Sequence, residues 1–297
     1  MVGDGILNLY SVIVCYNPDW NHVLSNLIQV LSKSGVKAVV VDNSDESLEL
    51  TGDCDFEYLS FNVNLGIAEA QNRGIKLALN QGAQAIVFFD QDSLIKEGFI
   101  QTLISPVIDK DEDIVAPIFK SIKYGFYYDI LSCLPSGGLK KIPPEKGRDF
   151  YTNIAISSGT VVNSSVFSKV GLMNSELFID YVDTEWCLRA YHYGFKVYVN
   201  TSAVMEHEIG DHTISIGRYS VPVHSPQRRY YRLRNSFILA RFTHVPRKLM
   251  IREVIFSFLH HLVLIYFEGK KIDYLKSMYC GVRDGVLNRS GKHDLCE

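Results

Sequence analysis

Apolar positions along this chain change period repeatedly, from the two-residue step of a strand to the three-to-four-residue step of a helix. Residues 9–16 read as a buried strand, after which Trp20, Val23, Leu24, Leu27, Ile28 and Leu31 recur at helical spacing and Gly35 marks the stop. Residues 38–41 are a second strand, ending in Asp42-Asn43-Ser44. A short third strand over 56–61 leads through Asn62-Val63-Asn64-Leu65-Gly66 into a helix over 68–81. A fourth apolar run, 85–89, ends in Asp90-Gln91-Asp92-Ser93, and helical spacing resumes over 95–104. Farther on, a strand is expected at 154–157, a helix starts around Asp183 and stops at Gly194, and a strand follows at 196–199. Continuous apolar strands alternating with helices predict an α/β fold: a Rossmann-like, mostly parallel sheet flanked by helices, with ligands beyond the carboxyl ends of the strands. Asn17, Asp42, Asn64 and Asp90/Asp92 all stand at such ends, so four polar tips point to one crevice.

The run AIVFFDQDS carries the most chemistry. Strand alternation would send Asp90 and Asp92 to the same side and Gln91 to the other. Two carboxylates held that close repel unless a cation sits between them, and Mg²⁺ takes one or two protein carboxylates with waters and substrate phosphates completing its shell. The competing reading makes Asp92 or Ser93 the cap of the helix over 95–104. CYNPDW stands where a glycine-rich dinucleotide fingerprint would follow the first strand, and no P-loop pattern occurs anywhere. A nucleotide site would therefore be built from side chains and a metal.

The 297 residues permit one large domain or a domain with an appendage, and the formal net charge of -3 gives no reason to expect a nucleic-acid partner. Six scattered cysteines without a C-x-x-C pair read as reduced thiols of a cytoplasmic protein. The N-terminus has no basic region before its apolar run and reads as a first strand rather than a signal peptide.

A second acidic cluster, Asp180, Asp183 and Glu185, lies in FIDYVDTEWCLRAYHYG, where Asp183 is also a natural helix cap. His207 follows in MEHEIG. Beyond residue 210 the segment 224–235 is dense in arginine and tyrosine, suited either to a solvated helix face or to bidentate phosphate contacts. Residues 254–267 are apolar with basic flanks and fall short of the ~20 a membrane span needs. They are either a core or dimer helix or an interfacial anchor.

In this order, SVIVCYN, VVDNS, NLGIAEAQNRG, FFDQDS, FIDYVDTEWCLRAYHYG and MEHEIG resemble the family 2 inverting glycosyltransferases of the GT-A fold. More narrowly they are similar to the bacterial rhamnosyltransferases of O-antigen and related surface polysaccharides. The resemblance spans about residues 9–240 and implies a GT-A catalytic domain over 1–210 and a helical C-terminal extension over 211–297. It implies that Asp42 contacts the nucleobase, and that Tyr16, Asn17, Asn64, Gly66, Asn72, Arg73, Asp90 and Gln91 line the donor. Asp92, with Asp90 and His207, would bind Mg²⁺ or Mn²⁺. Asp183 would be the catalytic base with Glu185 as the alternative, although Val182 stands where the family more often has an acid. Arg228, Arg229 and Tyr231 would meet the donor diphosphate and acceptor. The implied donor is dTDP-β-L-rhamnose and the implied acceptor a polyprenyl-diphosphate-linked glycan. The protein would then work in the cytoplasm, with peripheral contact at the inner face of the membrane and a homo-oligomer left open. The alternatives are another nucleotide sugar, such as a UDP-sugar, on the same fold, or a non-catalytic carbohydrate-binding scaffold.

Overall fold

The structure, a computed structural model, describes residues 7–20, 23–46, 56–206, 213–216 and 219–293. The chain begins β1 (Leu9–Cys15), α1 (Val23–Lys33), β2 (Lys37–Asp42), β3 (Phe56–Ser60), α2 (Ile67–Asn80), β4 (Ala85–Asp90), α3 (Phe99–Asp109) and β5 (Ile114–Lys120). The hairpin β6 (Ile130–Cys133) and β7 (Leu139–Ile142) comes next, then β8 (Phe150–Thr152), β9 (Val161–Asn163), α4 (Ser164–Val170), α5 (Val182–His192) and β10 (Val197–Glu206). A second hairpin, β11 (Thr213–Ile216) and β12 (Tyr219–Pro222), precedes α6 (Pro226–Leu239), α7 (Arg247–Phe267) and α8 (Lys271–Leu287).

Eight strands make the central sheet in the order β3-β2-β1-β4-β9-β5-β10-β8. β3, β2, β1 and β4 are mutually parallel, β9 runs antiparallel between β4 and β5, and β8 is antiparallel to β10. Alternate residues of each strand feed opposite layers. Tyr10, Val12, Val39, Val41, Ile86 and Phe88 pack with α2, α4 and α5 on one face. Leu9, Ile13, Val40, Val87 and Phe89 pack with α1 and α3 on the other. With both faces covered, β1, β2, β4 and β5 are apolar along most of their length, and Asp42 and Asp90 fall at strand ends.

Three expectations need correction. Residues 154–157 form no strand, because the short antiparallel pieces β8 and β9 flank them and Asn153 turns the chain by bonding across Cys133 (Nδ2 to Cys133 O, 2.7 Å). The helix expected over 95–104 starts at Phe99 with Gly98 as its N-cap, so neither Asp92 nor Ser93 caps it. The apolar segment at 254–267 belongs to a longer helix, Arg247–Phe267, of 21 residues.

Candidate active site

Register brings the strand ends together: Cys15 pairs with Asp42 and Val14 with Asp90, so β1, β2 and β4 finish side by side. Asp42 is fully buried. Its Oδ1 accepts from Ser44 N (3.0 Å) and Oγ (2.5 Å), and its Oδ2 accepts from the Tyr58 hydroxyl (2.6 Å). Burial and this bond push the Tyr58 hydroxyl far up, so it stays a donor. Ser44 Oγ accepts from Asn17 N (2.7 Å), where Asn17 takes a left-handed conformation (φ 46°). Asn43 then ties the next loop: its Nδ2 donates to Asn64 Oδ1 (2.9 Å) and its Oδ1 accepts from Leu65 N (2.7 Å). Asn17, Asp42 and Asn64 thus share one hydrogen-bonded rim.

Tyr16 N donates to Gln91 Oε1 (2.7 Å), which fastens the turn after β4 to the end of β1. β4 stops at Asp90, and Gln91-Asp92 form a turn closed by Ser93 N donating to Asp90 O (3.1 Å). The relation of Asp92 to Asp90 is therefore set by that turn and not by strand alternation. Asp90 is half-buried, with its N–H donating to Ser93 Oγ (3.1 Å) and Ser158 Oγ (3.3 Å), while Asp92 is exposed. His207 lies outside the described residues. Among the described residues no three His, Cys, Asp or Glu side chains gather to cage a metal. Hard carboxylate oxygens at an open crevice still suit Mg²⁺ or Mn²⁺, whose remaining positions diphosphate and water normally fill.

Gly66 precedes α2 with φ 81°, and a Cβ there would fall 2.5 Å from Phe178 Cδ2 and 2.7 Å from Phe178 O. The glycine is required for close packing of the donor-side loop against the acidic loop. Asn72 is buried and bonds Met173 through both amide atoms (Nδ2 to O, 2.9 Å; N to Oδ1, 2.8 Å), which makes it a brace between α2 and the chain before α5. Arg73 is exposed and paired with Glu69 (2.7 Å). These geometries give Gly66 and Asn72 packing roles.

The acidic loop is held in an unusual shape. Phe178, Asp180 and Tyr181 all have positive φ (62°, 65° and 64°), a region costly for side chains of this size. Asn235 of α6 compensates by donating one amide nitrogen to Leu177 O (2.7 Å), Ile179 O (2.7 Å) and Asp180 O (3.1 Å). Arg234 donates to Glu176 O and Leu177 O from the same helix. Asp180 Oδ1 faces Arg228 (3.5 Å) and Arg232 (3.6 Å).

Asp183 and Glu185, two residues apart, differ in every physical respect. Asp183 is part-buried in the first turn of α5, and its carboxylate accepts from Ser157 N (3.2 Å) and Thr184 N (3.2 Å). Burial raises its pKa above the ordinary value, with Asp180 adding to the rise and the backbone bonds opposing it. Glu185 is fully buried and accepts from Arg189 Nε (2.9 Å) and Nη2 (3.0 Å), with His244 Nε2 at 2.8 Å. Burial pushes this carboxyl up, but the His244 and Arg189 bonds outweigh it and hold it below the usual glutamate range. Fully buried and held by these three bonds, this carboxylate is closed off from the solvent side. Glu185 braces α5 through Arg189 and His244, while Asp183 keeps a part-buried carboxylate of raised pKa.

Arg229 and Tyr231 do not reach the crevice. Arg229 is fully buried, donating to Ser257 O (2.8 Å) beside His261, and burial pulls its pKa down to about 10. Tyr231 is buried and stacks on Phe178 with ring centroids 4.8 Å apart. The helical periodicity of 226–239 turns these two inward and leaves Arg228 and Arg232 at the acidic loop. Asn235, His244, Asn153 and Ser157 escaped the sequence reading, since each acts on residues twenty or more positions away that no local spacing reveals.

An eight-stranded sheet of this order, with β9 reversed between β4 and β5 and an acidic turn after β4, defines the GT-A architecture. The chain belongs to glycosyl transferase family 2, whose family profile matches residues 11–170. It is 42% identical over 96% of its length to the dTDP-rhamnosyl transferase RfbF of Shigella flexneri, covering 97% of that protein. It is also 26% identical to the low-salt glycan biosynthesis hexosyltransferase Agl10 of Haloferax volcanii, over 87% of this chain and 86% of that one. Among solved structures, TarS 1-349 of S. aureus in complex with UDP-GlcNAc superposes with a TM-score of 0.55 at 12% identity, over 94% of this chain and 81% of that one. GalNAc-T7 with UDP, GalNAc and Mn²⁺ does so with a TM-score of 0.56 at 13% identity, over 90% of this chain and 59% of that longer one. At such identities these structures establish the fold alone.

Proposed function

We propose that this glycosyltransferase moves L-rhamnose from dTDP-β-L-rhamnose, with inversion, to a hydroxyl of a polyprenyl-diphosphate-linked glycan during synthesis of a bacterial surface polysaccharide such as O-antigen. The identity of 42% with a dTDP-rhamnosyl transferase, across nearly the whole of both chains, carries the donor assignment. The rim of Asn17, Asp42 and Asn64 receives the nucleoside. Asp92, with Asp90 beside it, would hold Mg²⁺ or Mn²⁺, which when bound supplies Lewis-acid stabilisation to the departing diphosphate. Asp183 accepts the proton of the acceptor hydroxyl as its oxygen attacks the anomeric carbon on the face opposite the diphosphate. The bond from that carbon to the diphosphate oxygen breaks, and dTDP leaves with the electron pair. A pKa raised by burial makes the Asp183 carboxylate a stronger base than an ordinary aspartate. On this reading residues 1–210 serve the donor, and 211–297 serve an acceptor presented at the inner face of the cytoplasmic membrane.

Incubating the protein with dTDP-rhamnose and a panel of UDP- and GDP-sugars in Mn²⁺, and measuring released nucleoside diphosphate, tests this reading. Turnover is expected to be highest with dTDP-rhamnose. Preference for a UDP-sugar overturns the donor assignment, and silence across the panel with a lipid-linked acceptor present favours a scaffold.

A further inference from the structure

Helices α7 and α8 are built inside out. The inward stripe of α7 is Leu249, Glu253, Ser257, His261 and Leu264, whereas Ile251, Ile255, Phe258, Leu259, Leu262 and Tyr266 on the opposite stripe are 40–75% exposed. α8 repeats the pattern, with Tyr274, Ser277, Gly281 and Asp284 inward and Ile272, Leu275, Tyr279 and Val286 outward. The inward polar groups have partners: Tyr181 OH donates to Glu253 Oε2 (2.8 Å), Arg229 Nη2 to Ser257 O (2.8 Å) and Tyr230 OH to Asp284 Oδ2 (3.0 Å). Gly281 and Gly285 allow α8 to lie close on α6, since a Cβ at either would meet Tyr230 O at 3.1 Å or Phe237 Cβ at 2.8 Å. These contacts fix which way each helix faces, and the apolar side is left outward. Thirteen of the twenty-six large apolar side chains exposed on the described residues fall between 251 and 287, a density that marks an interaction surface.

Charge selects the partner. Residues 241–293 carry ten Lys or Arg against four Asp or Glu, in a chain whose totals are 30 and 33. Two of the four acids, Glu253 and Asp284, are buried and paired. We propose that the outward stripes of α7 and α8 dock peripherally on an anionic lipid bilayer, with the apolar side chains in the headgroup–acyl boundary and the surrounding Lys and Arg on lipid phosphates. A second copy of the chain would set basic surface against basic surface, which disfavours a self-complementary dimer here. By length and composition α7 could cross a membrane, but its inward Glu253 carboxylate meets Tyr181 and its His261 imidazole meets Arg229 of α6 and Ser277 of α8, which keeps it lying flat. This surface is the same whichever sugar is transferred.

Co-sedimentation of the full chain with phosphatidylglycerol vesicles tests the proposal. Binding is expected to be roughly tenfold or more weaker on pure phosphatidylcholine and to drop again at about 0.5 M salt, where screening is strong. The double substitution Phe258→Ser, Leu262→Ser should weaken binding by roughly tenfold or more without lowering Tm. If that variant unfolds, Leu262→Trp decides instead, its emission shifting blue on phosphatidylglycerol vesicles when the surface docks and staying fixed when it does not. A wild-type chain that ignores phosphatidylglycerol vesicles overturns the proposal. So does a solution dimer that the two serines split.

Discussion

The two walls of the crevice are fixed by different means. On the donor side, Asn17, Asp42, Asn43 and Asn64 hold one another through short local bonds at adjacent strand ends, and Asp92 remains exposed. On the opposite side, a loop of unfavourable backbone conformation is clamped from a distance by Asn235 and Arg234, and α5 after it by the Glu185–His244 pair. Parallel strands place the first wall at little cost, because pairing register alone aligns their ends. The second must hold carboxylates of opposite character two residues apart, and only long-range charged and amide partners can impose that difference.

Removing Asp183 should sharpen the contrast most. Asp183→Asn keeps size and much of the hydrogen bonding but removes the base, so turnover should fall about 10²-fold or more while the affinity for dTDP is unchanged. The same loss in Glu185→Gln with an active Asp183→Asn would reverse the two roles. The wild-type rate should also fall on acidification through the raised pKa of Asp183, an acid limb that lies above the ordinary aspartate range.

Glu185→Ala should instead break the wall itself. It leaves the Arg189 and His244 groups without their buried partner, and chemical denaturation should show a loss of about 3–5 kcal/mol. In the wild type this contribution is complete above the ordinary glutamate range and disappears as pH falls through the lowered pKa of Glu185. Asn235→Ala should cost about 1–3 kcal/mol through three deserted carbonyls and lower kcat as the loop relaxes. Equal kcat in that variant would show that the loop keeps its shape without α6.

On the donor side the effects are smaller and read out as ligand binding. With dTDP at about 100 times its Kd, metal-dependent stabilisation should approach roughly 2.7 kcal/mol, seen as a rise in Tm that EDTA removes. Asp92→Ala should abolish that rise and leave the ligand-free Tm where it was. Full metal-dependent stabilisation in Asp92→Ala would remove Asp92 from the metal site. The smallest shift expected is a slight rise in the Tm of Asp183→Asn at neutral pH. The fold favours the protonated form of this carboxyl, so its charge opposes stability there and the opposition fades as pH falls through the raised pKa.

The donor wall was legible in the sequence because strand ends are local events. Alternating apolar runs locate β1, β2 and β4, and Asn17, Asp42 and Asp90 stand at or just beyond their ends. Asp183 is marked instead by its place at the start of a helix. Periodicity gave no sign of β9 and β8, three residues each, nor of the reversal that puts β9 between two parallel neighbours. Arginine and tyrosine content suggested phosphate contacts at Arg229 and Tyr231, but composition does not say which side of a helix is buried. Asn235 and His244 lie more than fifty residues from their partners, and a lone amide or imidazole carries no pattern in a single chain.

The Asn235 clamp also orders events during synthesis. The sheet strands, the acidic loop and Asp183 all leave the ribosome before α6, so a nascent chain can assemble its donor rim while the loop still lacks the amide that holds three of its carbonyls. The acidic loop gains its clamp late, with the helix that also begins the basic, apolar-faced end of the molecule. A chain stopped before residue 226 would lack both the Asn235 amide and Ile238, which packs into the core with α2, α4 and α5.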